Sequence, residues 1–269
     1  MSRQMATEIP SPYAFHPGSV ARNRRRAMAL VAGAAAMPAL VLLAVVALAW
    51  SAAVGVVAGA VLATALSVWL WRAGPRAVIG RLDGAPADPV VHARLHNLVE
   101  SLCAAAGLSK PELLVVRAPA ANALSVGHGP SDATLVVTEG LLTRLTRVEL
   151  EAILAHELSH VRKGEVAVAA AAAVTIAPLM RVVPTLVTPL GRRLVGGREA
   201  DADLAAVGLT RYPPGLIGAL EKMRSPRMPP SSPGVDLLWA VPPSGAISGQ
   251  VEAAVADPLE SRLQTLREL

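Results

Sequence analysis

The sequence predicts a mainly helical α+β protein, in which an N-terminal transmembrane helical hairpin precedes a domain with a small β-sheet. Three observations carry that expectation. Residues 27–71 contain no charged side chain. Residues 146–161 repeat apolar side chains at a helical period, and short β-branched runs at 112–117 and 134–138 interrupt the helical stretches that follow.

The charge-free run comes first. A helix needs about 20 apolar residues to cross a bilayer, so this run holds two spans, expected at 28–49 and 52–71 with a turn at Trp50 and Ser51. Pro38, Gly55 and Gly59 are compatible with helices in lipid. The run starts too late and is too long for the 7–15-residue apolar core of a signal peptide. Overall, 53% hydrophobic and 17% charged residues exceed what an ordinary soluble domain carries. Arg22, Arg24, Arg25 and Arg26 precede the first span, and Arg72, Arg76 and Arg81 follow the second. By the positive-inside rule both flanks are cytoplasmic. The expected location is therefore the inner (plasma) membrane, multi-pass, with the downstream domain in the cytoplasm. Residues 1–26 are read as a flexible cytoplasmic tail, 27–72 as the hairpin and 73–269 as the catalytic domain. Cys103 is the only cysteine, so no intramolecular disulfide forms. The net charge of +5 is almost all arginine, much of it beside the apolar runs. Anionic lipid headgroups account for it, and no nucleic-acid partner is expected.

Within the domain, 89–107 reads as an amphipathic helix ending at Gly107. It carries His92 and His96, four residues apart, with no third ligand in view; they are read as a solvated face. Residues 224–234, with four prolines, read as a loop, and 259–269 as a closing helix. Residues 166–190 are apolar but interrupted by Arg181, Pro178, Pro184 and Pro189. They are expected to associate with the membrane, bending back at 178–184 rather than crossing.

His156-Glu157-Leu158-Ser159-His160 is the chemically richest stretch. Thr146 and Glu149 form a capping-box pattern, so this HExxH lies mid-helix. Two histidines one turn apart reach a single metal ion, and the intervening Glu157 is placed to deprotonate water. A catalytic zinc takes three protein ligands and keeps one position open. In Arg198-Glu199-Ala200-Asp201-Ala202-Asp203, Glu199 is the candidate third ligand. Asp203, one turn on, is placed to orient a ligand histidine.

These segments resemble the HtpX-like and CaaX-prenyl-protease-like family of membrane zinc metallopeptidases, with its HExxH…ExxAD signature. Asn122-Ala123-Leu124-Ser125-Val126-Gly127 resembles the family's NAFATG-type segment, and Val137-Thr138-Glu139-Gly140-Leu141-Leu142 its VTEGLL stretch. The helix through Ala219-Leu220-Glu221-Lys222-Met223 is similar to the one following its glutamate ligand. The resemblance implies a zincin-type metallopeptidase domain holding one zinc ion per chain. His156, His160 and Glu199 would be its ligands, Glu157 the general base, and Asp203 a support. It also implies that Ala121, Asn122, Ala123 and Leu124 form a substrate-binding edge strand. Two departures stand out. Glu165 occupies a position where relatives often have Asp. Ala256 aligns with the histidine of the family's HPPxxER, with Pro258, Glu260 and Arg262 following. If that histidine stabilises the oxyanion in relatives, another donor is needed here; Tyr212, His128 and Arg211 are candidates. The expected activity is zinc-dependent endoproteolysis of unfolded or membrane-proximal polypeptide in protein quality control. The alternatives are processing of short or lipidated peptides, or a catalytically silent membrane scaffold.

Overall fold

The computed structural model describes residues 18–176, 178–179, 198–224, 233–236, 238–242 and 258–269. Helices α1 (Gly18–Ala49) and α2 (Ala52–Ile79) form the N-terminal hairpin. Ser51 caps α2, accepting from the Val54 amide at 3.3 Å. Both helices are long and apolar enough to cross a membrane. Their contact uses small residues. A Cβ on Gly55 would sit 2.6 Å from the Leu43 carbonyl oxygen, and one on Gly59 3.0 Å from the Leu43 Cβ. Close backbone approach of this kind is how helices associate where no hydrophobic effect drives them together.

Both helices overrun the expected spans on the arginine side. Helix α1 starts at Gly18, inside the stretch assigned to the tail, and α2 continues to Ile79. Residues 1–17 lie outside the described residues. The extensions are helical because the domain packs on them. Ser19, Asn23 and Ala27 of α1 are buried, as are Gly74, Pro75 and Val78 of α2.

The domain follows as β1 (Gly84–Pro86), α3 (Ala93–Ala106), β2 (Glu112–Val116), β3 (Ala123–Gly129) and β4 (Asp132–Thr138). Next come α4 (Glu139–Arg144), α5 (Arg147–Lys163), α6 (Glu165–Thr175), α7 (Arg198–Thr210), α8 (Pro213–Met223), α9 (Pro233–Asp236) and α10 (Leu259–Arg267). The sheet order is β1-β2-β4-β3, with β2 and β4 parallel and the other pairs antiparallel. Alternation divides its side chains between two cores. Leu113, Val115, Leu135 and Val137 face Leu98, Ile153, Leu154, Leu220 and Leu263. Leu124, Val126 and Val136 face Val78, Ala170, Val235 and Trp239. The sheet therefore lies between the site helices on one face and the end of α2 with α6 on the other.

Helix α6 runs off α5 through Gly164, whose φ of 70° lies in the left-handed region that favours glycine. It packs beside the hairpin, with Ala167, Val168 and Ala171 against Ala27 and Val31. This covers the start of the apolar segment 166–190; residues 177 and 180–190, including most of the expected bend, lie outside the described residues. Residues 225–232 of the expected loop and Ala256 lie outside them too.

Candidate active site and metal centre

Helix α5 owes its position to its ends and its core stripe. Thr146 accepts from the Glu149 amide, while the Glu149 carboxylate accepts from the Thr146 amide at 2.7 Å. Leu150, Ile153, Leu154 and Leu158 are buried against α3, α8 and the sheet. That packing presses the polar face of α5 inward, so His156, Glu157, Ser159 and His160 are buried too.

Helix α7 brings Glu199 across this face. Glu199 Oε2 lies 3.2 Å from His156 Nε2, and its Oε1 lies 3.5 Å from His160 Nε2. One donor atom from each of the three falls within 4.8 Å of the others. Tetrahedral ligands around zinc, with bonds of about 2.0–2.1 Å, are separated by roughly 3.3 Å. The observed spacings and the two-imidazole, one-carboxylate donor set fit such an ion.

The far ring nitrogens are also engaged. His156 Nδ1 is 2.8 Å from Asp203 Oδ1, at an angle poor for a straight hydrogen bond. His160 Nδ1 is 2.6 Å from Glu165 Oε2. A carboxylate at Nδ1 favours a proton there, which leaves the Nε2 lone pair for a metal. Arg262 of α10 anchors Asp203, donating from Nε at 2.6 Å and Nη2 at 2.8 Å. Its Nη1 donates to the Ala240 carbonyl at 2.7 Å.

Burial opposes ionisation throughout, and the partners reverse it. For His156 burial works against the charged form, but Asp203 and Glu199 outweigh it and raise the pKa. For His160 burial is again outweighed, by Glu199 and Glu165, and the pKa is pushed up to about 10. Burial would raise Glu199, yet the two histidines hold it well below the usual carboxylate range. Glu157 goes the other way: burial raises its carboxyl, and the histidines only partly resist. A carboxylate shifted upward is a stronger base at neutral pH.

The structure thus gathers His156, Glu157, His160, Glu199 and Asp203 at one place. His160 and Glu199 meet although the apolar segment lies between them in the sequence. Ala123 and Leu124 of the expected substrate edge open β3, an outer strand of the sheet. Ala121, Asn122, Ala123 and Leu124 are all buried. Ala240 donates to the Ala123 carbonyl at 2.9 Å, and the Asn122 side chain donates to the Val241 carbonyl at 2.6 Å. Ser125, the next residue, lines the cleft together with Glu157, Glu165, Arg198 and Leu238. His128 Nε2 donates to the Trp71 carbonyl at 2.9 Å and its Nδ1 pairs with Asp132, on the hairpin side, and Tyr212 is half exposed at the start of α8. Neither lines the catalytic cleft. His96 contacts the Ala87 carbonyl at 3.0 Å.

Sequence reasoning left Glu165, Ser125, Arg198 and Arg262 without roles. Arg262 had a signal, since it closes the stretch aligned with HPPxxER. Glu165 had one in its position five residues after His160.

The profile of peptidase family M48 matches residues 89–188. Curated relatives match over a longer stretch. The protease HtpX homolog of Dictyoglomus turgidum is 31% identical over 207 residues, 64% of this chain and 68% of the relative. That of Dictyoglomus thermophilum is 32% identical over 208 residues, again 64% and 68%. That of Caldanaerobacter subterraneus is 28% identical over 231 residues, 70% and 76%. The chain belongs to the HtpX-like family of M48 peptidases. It is accordingly a membrane-associated metallopeptidase, and the His156–His160–Glu199 cluster is where this family member can hold its metal.

Proposed function

We propose that the chain is a membrane-anchored zinc endopeptidase acting on unfolded or membrane-proximal polypeptide, as in protein quality control. The observation that carries this reading is the convergence of three ligand-type atoms within 4.8 Å beside a buried glutamate. His156, His160 and Glu199 hold the ion, with Asp203 and Glu165 fixing the two imidazoles. An ion there supplies Lewis acidity, polarising a carbonyl and making water easier to deprotonate. Glu157 takes the proton of the attacking water and returns it to the leaving amine nitrogen. The substrate lies extended beside β3 near Ser125, and reaching the Ala123 carbonyl requires it to displace Ala240 and Val241.

The reading takes 27–72 as the anchor and 73–269 as the peptidase domain, on the cytoplasmic side of the inner membrane. Support comes from the arginine-bearing ends of α1 and α2, which both lie against the domain. The exposed apolar hairpin favours substrates near the bilayer.

The test uses full-length protein in detergent. Metal analysis is expected to find one zinc per chain, and casein cleavage is expected to stop when a chelator is added. Glu157→Gln is expected to keep zinc and lose hydrolysis. Turnover near the wild-type rate in that variant removes Glu157 as the base. Full zinc occupancy with no cleavage by the wild type on any unfolded substrate favours the silent scaffold instead.

A further inference from the structure

Arg198 opens α7 one residue before the glutamate ligand, and its side chain is only 13% exposed. It lines the same cleft as Glu157, His160 and Ser125. Its Nε and Nη1 are buried and have no hydrogen-bond partner among the described residues. Its Nη2 lies 3.8 Å from Glu199 Oε1, too far for a hydrogen bond but close enough to fix the guanidinium beside the ligand cluster. Buried N–H donors are normally satisfied, because an unpaired one has given up its hydration with nothing in return. The other buried arginine of the site behaves differently: Arg262 spends its donors on Asp203 and Ala240. Asp203 is thus anchored by a protein cation, while Arg198 is held in the cleft with donors to spare.

We infer that Arg198 is a catalytic residue that donates its free N–H groups to the carbonyl oxygen of the scissile peptide as water adds to it. The inference rests on the endopeptidase reading above. In that step the water oxygen forms the new bond to carbon, and its proton passes to Glu157. The carbon–oxygen π pair moves onto the carbonyl oxygen, where the negative charge meets Arg198. The pair returns as the carbon–nitrogen bond breaks, and the nitrogen takes the proton from Glu157. Arg198 only donates hydrogen bonds and takes no part in the proton transfer. A donor aimed at charge that develops only during reaction stabilises the transition state more than the bound substrate.

The experiment compares Arg198→Gln and Arg198→Lys with wild type, all full-length and zinc-loaded. The readouts are zinc content, kcat and KM on a fluorogenic peptide, and affinity for a phosphinic peptide that mimics the tetrahedral carbon. A fourth readout is affinity for the uncleaved substrate peptide in a Glu157→Gln background. Loss of one such donor typically lowers kcat by about 10²–10³-fold. Arg198→Gln is expected to show that loss and to weaken phosphinic-peptide binding in proportion. KM, substrate-peptide affinity and zinc content are expected to stay near wild type. Arg198→Lys, keeping the charge but not the fork, is expected to fall between. Unchanged phosphinic-peptide affinity overturns the inference, as does loss of substrate affinity at unchanged kcat. Loss of zinc in both variants overturns it as well, since Arg198 would then act on the ligands alone. Absence of zinc or cleavage in wild type fails the endopeptidase reading itself.

Discussion

Helix α1 exposes Met37, Leu40, Val41 and Leu48, whereas α5 buries His156, Glu157, Ser159 and His160. Each reverses the ordinary soluble rule, and for different reasons. Helix α1 presents large apolar side chains outward, as suits a helix long and apolar enough to cross a membrane, and it packs through Gly55 and Gly59 of its partner helix. Helix α5 can bury its ionisable groups because each of these has a charged or hydrogen-bonding neighbour. His156 has Asp203 and Glu199, His160 has Glu165 and Glu199, and Asp203 has Arg262. The pair teaches that hydropathy predicts burial only once the surroundings are known. The sharpest tests remove those surroundings.

The largest effect is expected from the ligand atoms. His156→Ala, His160→Ala and Glu199→Ala should each lose the bound zinc and all measurable cleavage, because three ligands are the minimum for a retained catalytic ion. Metal analysis with casein proteolysis checks this. Full activity in Glu199→Ala would mean that the polar face of α5 serves something else.

Next comes the support behind His156. Arg262→Met removes the guanidinium hydrogen-bonded to Asp203 and leaves that carboxylate buried. Breaking a buried pair from one side costs about 3–5 kcal/mol, so thermal unfolding should move down by many degrees. Asp203→Ala is expected to be milder in folding and to weaken metal affinity or activity by roughly 10–100-fold. The reverse ranking would show that Arg262 contributes little to the fold.

These two residues also mark how far the sequence is legible. His156, Glu157, His160, Glu199 and Asp203 could be read because helical spacing places residues four apart on one face. The capping box at Thr146 was legible for the same local reason, as were β2 and β4 from their β-branched runs. Arg262 pairs with a residue 59 positions earlier, and no local pattern encodes that reach. Glu165 is near in sequence, but the left-handed turn at Gly164 is what swings it back onto His160. Strand β1 is Gly-Ala-Pro, a composition that reads as linker and becomes a strand only by pairing with Leu114–Val116. The arginine-rich start of α1 read as tail because its helix depends on a domain packed against it.

Within the hairpin, Gly55→Val tests packing without touching the site. A Cβ there collides with the Leu43 carbonyl oxygen at 2.6 Å, so the helices must separate. Overpacking of this kind typically costs about 1–3 kcal/mol. In membranes the hairpin loop should become more open to protease, while zinc content stays at the wild-type level. Loss of zinc in this variant would mean that the two regions do not fold independently.

The smallest effect is expected where the two regions touch. Asn23 of α1 is buried, and its Nδ2 donates to the Lys163 carbonyl at 2.9 Å. That carbonyl belongs to the last turn of α5, whose terminal oxygens have no intrahelical donors. Helix α1 therefore caps the helix that carries both histidines. Asn23→Ala removes one neutral hydrogen bond, worth about 1 kcal/mol. The Lys163 carbonyl is partly solvated, so water can replace some of the loss. Unfolding should shift by a degree or a few, and zinc content should be unchanged. If the bond merely fastens the domain to its anchor, kcat should also stay unchanged. If α1 positions the end of α5, kcat should fall while KM holds, because His160 lies within the last turn. Peptide kinetics in detergent and in lipid nanodiscs separate the two outcomes. A kcat loss found only in detergent would show that the bilayer, and not Asn23 alone, holds the site helix in register.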